Sequence, residues 1–241
     1  MASTSETGHA KNIANLKSLN EINGGFGAAY APSNPLYVQA TMVAQHTACN
    51  LLQGAVNTQS GIFEPFQNKR VDEFKDVKPL VRKVRGAAKT CGASAQFFKD
   101  VNTIANKLLG VRISKVTPTP DDPAGTSASQ QSFDMTVDNF DALVQLLAAE
   151  PLYAPNEIPL KVITLTAKQI ALDKANNDVK TSVVPFNNAV IARNKALYKK
   201  TTGLCDVGQG SKDYVRSAFG FSSPEFKQVV KFKFKKLAKV D

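Results

Sequence analysis

Tryptophan is absent from this 241-residue chain, histidine occurs twice and cysteine three times. Each scarcity excludes something. Cys49, Cys91 and Cys205 are an odd number and form no disulfide framework, which fits a reducing compartment. His46 and Cys49 lie one helical turn apart, but no Cys-x-x-Cys or His-x-x-x-His completes a metal set, and His9 stands alone near the N-terminus. No apolar run reaches the roughly 18–20 residues that cross a bilayer. The opening MASTSETGHAKNIANL lacks the apolar segment of a secretory signal. The expectation is a soluble cytoplasmic protein without a transmembrane segment, with export by a route lacking such a signal left open.

Catalytic groups are equally sparse. Gly24-Gly25-Phe26-Gly27 follows no strand and precedes no Lys-Ser/Thr, so it reads as a connection and not as a phosphate cradle. Asp121 and Asp122 fall in a proline-rich stretch, and Asp134, Asp138 and Asp141 near a helix start, where negative charge suits the macrodipole. The reading is non-enzymatic, with no cofactor, no metal and no catalytic residues.

What is present is helical periodicity. Val38, Met42, Gln45, Cys49, Leu52, Val56, Gln59 and Phe63 recur every three or four residues, as do Val162, Leu165, Gln169, Leu172, Asn176, Val179, Val183 and Phe186. Phe74, Val77, Val81, Val84, Ala88, Cys91, Ala95 and Phe98 continue the pattern. The prolines at 32, 35, 155 and 159 fit helix starts, and Pro65 and Pro185 are expected to open the next helices, each repeat becoming a long helical hairpin. A helix from 36 to 63 is roughly 42 Å long. It carries no Asp, Glu, Lys or Arg before Glu64. An uncharged polar face packs against another surface without stranding charge, either the second repeat or a second copy. Amides in the seams resemble the register-fixing polar positions of coiled coils, or else lie at the edge of an ordinary bundle.

The halves match each other. Asn15-Leu16, Leu19 and Ile22 align with Asn139-Phe140, Leu143 and Leu146, Tyr30-Ala31-Pro32 with Tyr153-Ala154-Pro155, and Pro65-Phe66 with Pro185-Phe186. This predicts an all-α fold, an elongated helical bundle of two similar helical-hairpin repeats in a pseudo-twofold relation. The first repeat covers 1–113, a Pro/Ser/Thr-rich linker 114–132, the second repeat 133–224 and a basic tail 225–241. Leu52, Phe66, Val81, Val84, Leu172 and Phe186 are the expected core anchors.

Charge is segregated within a formal net of +10. Residues 65–115 carry 12 basic and 4 acidic groups, whereas 116–160 carry 7 acidic groups and neither Lys nor Arg. Lys75, Lys78, Arg82, Arg85 and Lys89 form a basic stripe that can follow a phosphate backbone or merely flank an apolar seam. In the tail, Phe232 and Phe234 alternate with Lys231, Lys233 and Lys235, beside Lys236. Period two suits an extended arm that docks through its Phe face or meets an anionic surface through its Lys face, and a loose chain end is the alternative.

HAKN at 9–12, LYAPNE at 152–157 and YVRSAFGFSSPEFKQV at 214–229 resemble segments of a group of duplicated helical proteins from Bacteroidota bacteria. The resemblance spans nearly the whole chain, implies a duplicated helical fold, and brings no activity, cofactor or site. The expected function is that of a structural or interaction protein that self-associates through its long helices. A basic nucleic-acid-binding protein is the second reading and a membrane-active helical protein the third. The expected partner is a second copy of the chain, with nucleic acid or another anionic surface as the alternative.

Overall fold

A computed structural model describes residues 8–111 and 131–239. The linker expected at 114–132, apart from its last two residues, and Asp121-Asp122 lie outside the described residues. Among the described residues all regular structure is helical: α1 (His9–Gly25), α2 (Gln39–Lys75), α3 (Val77–Thr90), α4 (Ala95–Leu109), α5 (Phe133–Ala148), α6 (Val162–Tyr198), α7 (Leu204–Phe219) and α8 (Pro224–Val229), with short 3-10 turns at Gly27–Ala29, Pro35–Tyr37 and Ile158–Leu160. None of these helices is long and apolar enough to cross a membrane.

Prolines set the helix boundaries differently from the expectation. Pro65 and Pro185 open no helix; each lies exposed inside one, in α2 and α6, which run 37 residues apiece. A helix of that length can lose one hydrogen bond when tertiary contacts hold it on both sides of the gap. The break comes later. Pro79 has no N–H to offer the carbonyl four residues back, and α2 ends at that residue, Lys75. Asp76 alone separates α2 from α3, and the Leu80 amide already bonds the Asp76 carbonyl at 3.0 Å. The turn expected at Pro65 is therefore displaced to Asp76.

The chain forms two compact units, with divisions inside α2 and α6. One comprises Phe63–Ser182. Its core stacks Val77, Val81, Val84 and Ala88 of α3 against Phe97, Val101, Ala105 and Leu108 of α4, Phe140, Leu143 and Leu147 of α5, and Leu165 and Leu172 of α6. Ser94 and Ser132 cap α4 and α5 by accepting from the amides of Phe97 and Met135. Asn176, a seam amide, is buried; it donates to Asp134 at 2.6 Å and accepts from Arg70, whose guanidinium lies 4.0 Å over the Phe133 ring. An amide held on both sides fixes which residues of α2, α5 and α6 face each other.

The other unit comprises Met1–Ile62 and Val183–Asp241. Its core joins Ile13, Leu16 and Leu19 of α1, Met42 and Cys49 of α2, Leu197 and Tyr198 of α6, Leu204, Cys205, Val207 and Val215 of α7, and Phe226 and Val229 of α8. Gly210 lets the Tyr37 ring approach to a distance that any Cβ would block. Of the six expected anchors, Val81, Val84 and Leu172 are fully buried, whereas Leu52, Phe66 and Phe186 are half-buried because α2 and α6 turn only part of those faces inward.

One local structure occurs twice. The buried Tyr30 hydroxyl donates to the carbonyl of Tyr37, and the buried Tyr153 hydroxyl to that of Leu160, seven residues on in each case. A 3-10 turn and then a 37-residue helix follow both times.

Candidate functional site

Most of the uncharged stretch from Leu36 to Phe63 is exposed or half-buried among the described residues. Met42, Cys49 and Val56 are its only buried residues. On its outer side Val43 is 53% exposed, Leu51 70% and Ile62 48%, among exposed Ala44, Thr47, Ala48, Ala55 and Thr58. Exposed leucine on a helix with no flanking charge departs from the usual solvated face, where Lys and Glu keep water close. Beside it, Gln45, Ala48 and Cys49 meet Lys195, Lys199 and Thr202 around an open groove of about 360 Å³, and the Gln45 amide donates to the Thr202 carbonyl at 2.8 Å.

The basic stripe divides at the α2–α3 break. Lys75 ends α2 and pairs with Asp72 at 3.2 Å, so it does not continue the row on α3. Lys78, Arg82 and Lys89 point outward, joined by Lys83, and α3 contains no acid. Arg85 is half-buried and donates to Asn106. The inner face is the Val77, Val81, Val84 and Ala88 row, so the stripe is the solvated side of an amphipathic helix with its positive charge left unbalanced locally.

The tail follows its period of two, on its own chain. Phe232 and Phe234 turn inward against the core of this unit, while Lys231, Lys233 and Lys235 stay exposed. Among the described residues no strand pairs with it; two amides one turn apart on α1 do the pairing. Asn12 donates to the Lys235 carbonyl at 2.8 Å and accepts from the Lys235 amide at 3.1 Å, and Asn15 donates to the Lys233 carbonyl at 2.9 Å. Phe234 lies on Gly208, where a Cβ would sit about 2.4 Å from the ring. Lys236 pairs with Asp206 at 2.8 Å and is therefore not free for an outside anion. The tail lysines belong to one unit and the α3 cations to the other.

Burial shifts Cys49, Cys205 and His9 toward their neutral forms. Burial pushes Cys49 up to about 11 and Cys205 up to about 12. His9 contacts the Tyr198 hydroxyl, and burial, then the Arg193 guanidinium, lower its pKa. Among the described residues no three of His, Cys, Asp and Glu cluster to hold a metal ion.

Two cations are buried without an ion pair among the described residues. Arg193, 8% exposed, gives Nε and Nη2 to Asn194. Lys212, 7% exposed, lies on α7 one turn from Arg216, with Phe221, Phe226 and Lys227 beyond them around a second cavity. Sequence reading missed this group. Its only signal was a Lys and an Arg four apart in a helix with an apolar inner face, and that pattern normally marks a solvated side.

No protein-family model matches the chain, and neither does any curated protein or solved structure.

Proposed function

We propose that this is a non-enzymatic assembly protein, with helix α2 as its self-association surface and a second copy of the chain as partner. The observation that carries this reading is the outer side of α2 up to Ile62: free of charge, a mix of small polar and apolar side chains, and exposed among the described residues. Burying such a face desolvates no ion, so the apolar contact is not offset by the several kcal/mol per charge that a Lys- or Glu-bearing helix loses. Helix α6 supports the reading within each unit. It exposes Ile163 and Ile170 in one and Val184 and Ile191 in the other. The paired Tyr–carbonyl turns and the equal lengths of α2 and α6 support an internal duplication with a pseudo-twofold relation, in which α6, unlike the 36–63 stretch, carries charges such as Lys168, Asp173 and Lys174.

The test is molar mass by light scattering after size exclusion, at low and high salt, for the native chain and for Leu51→Asp. Leu51 is mostly exposed, so a charge there leaves folding intact. The expected result is a mass above 25.9 kDa that persists in high salt and falls toward monomer in the variant. A native monomer at all concentrations refutes the proposal.

A second reading rests on α3: binding of a nucleic acid through Lys78, Arg82, Lys83 and Lys89, which have no acid on their own helix. It predicts retention on DNA or RNA that weakens steeply with salt and disappears in Lys78→Glu with Arg82→Glu. Retention that survives this double reversal excludes the stripe.

A further inference from the structure

Helices α7 and α8 frame a cavity of about 490 Å³, a volume within the range of small-ligand sites. Lys212 lines it, and its ammonium donates to the Phe232 carbonyl at 2.8 Å and to Gln209 Oε1 at 3.3 Å. An ammonium has three protons, and no described residue accepts the third. Retaining a buried cation with an open donor is costly unless an anion meets it. Arg216 and Lys227 line the same cavity, and the one acid there, Asp213, is an exposed carboxylate loosely paired with Arg216 at 3.7 Å and approached by the Gln209 amide. Three cations against one carboxylate leave two positive charges uncompensated. At the rim Phe221 is 74% exposed, its ring 5.7 Å from that of Phe226, with one face uncovered.

We propose that this cavity binds a phosphate monoester carried on a planar ring, the phosphate held by Lys212, Arg216 and Lys227 and the ring stacked on Phe221. A monoester near neutral pH carries about −1.5 to −2 charges, which matches the local excess and exceeds what a single carboxylate supplies. Arg and two ammonium groups provide the several donors that a tetrahedral anion accepts. A ring on Phe221 covers apolar surface that the chain leaves in water. The site is independent of the α2 face and stands or falls apart from self-association.

The experiment is titration of the full chain with phenyl phosphate, followed by amide chemical shifts. Inorganic phosphate and phenol serve as the two fragments, and a 5′-phosphorylated oligonucleotide tests whether a nucleic-acid end is the source of the same chemistry. The expected result is shifts confined to residues 209–230 and binding of phenyl phosphate at least about tenfold tighter than either fragment. Arg216→Gln, at an exposed side chain, weakens binding about tenfold, and Phe221→Ala, equally exposed, about fivefold. An oligonucleotide that binds through its terminal phosphate, with the same sensitivity to both variants, supports the site and identifies a strand end as the ligand. Inorganic phosphate binding as tightly as phenyl phosphate, affinity indifferent to Phe221→Ala, or no shifts at millimolar ligand overturns the proposal.

Discussion

Asn12→Ala tests whether the basic tail is part of the fold. Asn12 is buried on α1 and both gives to and takes from the backbone of Lys235. Removing the amide leaves a peptide N–H and C=O without their partner. Stranding a buried polar group costs about 1–3 kcal/mol, and because Lys235 is itself exposed, water recovers part of that, so about 2 kcal/mol is expected for the pair. The loss has a ceiling: it cannot exceed what the docked arm contributes, since the arm can simply leave. Asn12→Ala therefore releases the arm instead of straining it. The assay is urea denaturation of four proteins: the native chain, Asn12→Ala, a chain ending at Lys231, and that shorter chain with Asn12→Ala. The substitution should cost about 2 kcal/mol in the full chain and under about 0.5 in the shortened one, the difference being the coupling between α1 and the tail. Hydrogen exchange at the Lys235 amide should accelerate in parallel. Equal costs in both backgrounds would show that Asn12 acts through α1 alone and refute the reasoning.

Three further outcomes follow from the same geometry. Pro65→Ala restores a hydrogen bond within α2 at an exposed position and should raise stability by about 1–3 kcal/mol in thermal or urea denaturation; a loss of stability would mean that the interruption is required. Burial and the Arg193 guanidinium lower His9, so the folded state binds a proton there less tightly than the unfolded chain does; its contribution is complete above the unfolded value of about 6.5 and is lost as pH falls below it. Denaturation midpoints should drop as pH falls through about 6.5 and flatten in His9→Gln, and an unchanged slope in the variant counts against this assignment. A thiol reagent should modify the half-exposed Cys91 in the native protein and reach Cys49 and Cys205 only on unfolding, as read by mass spectrometry; native modification of all three contradicts their burial.

Period was the legible part of this chain. The spacing of Val77, Val81, Val84 and Ala88 placed the inner face of α3, and the alternation of Phe232 and Phe234 with lysines placed the sides of the tail, because both depend only on local geometry. The proline boundaries misled. A proline ends a helix when the residues before it gain nothing by continuing, and the sequence does not show that α2 has packing partners on both sides of Pro65 but only a one-residue break before α3. Nor can alternation name the surface that receives it: the tail's partner is two asparagines 3 residues apart on α1, more than 200 positions away, and isolated asparagines in a helix usually signify nothing.

The candidate sites were illegible for a related reason. Both depend on what the fold fails to cover or fails to neutralise. The uncharged run from 36 to 63 was visible as a composition, but a seam buried within one chain and a seam awaiting another have the same residues, and the exposure of Val43, Leu51 and Ile62 comes only with the fold. Lys212 reverses the case. Lysine in an amphipathic helix belongs outside by default, and it becomes informative only once α8 and the tail close over it, with Phe232 supplying a carbonyl and no carboxylate arriving. Its aliphatic stem accounts for part of the burial, as lysines often do, but a snorkelling lysine delivers its ammonium to water, whereas this one delivers it to a backbone carbonyl and an amide oxygen, in a residue that lines a cavity. That difference makes the α7–α8 cavity a site and leaves the outward lysines of α3 a field.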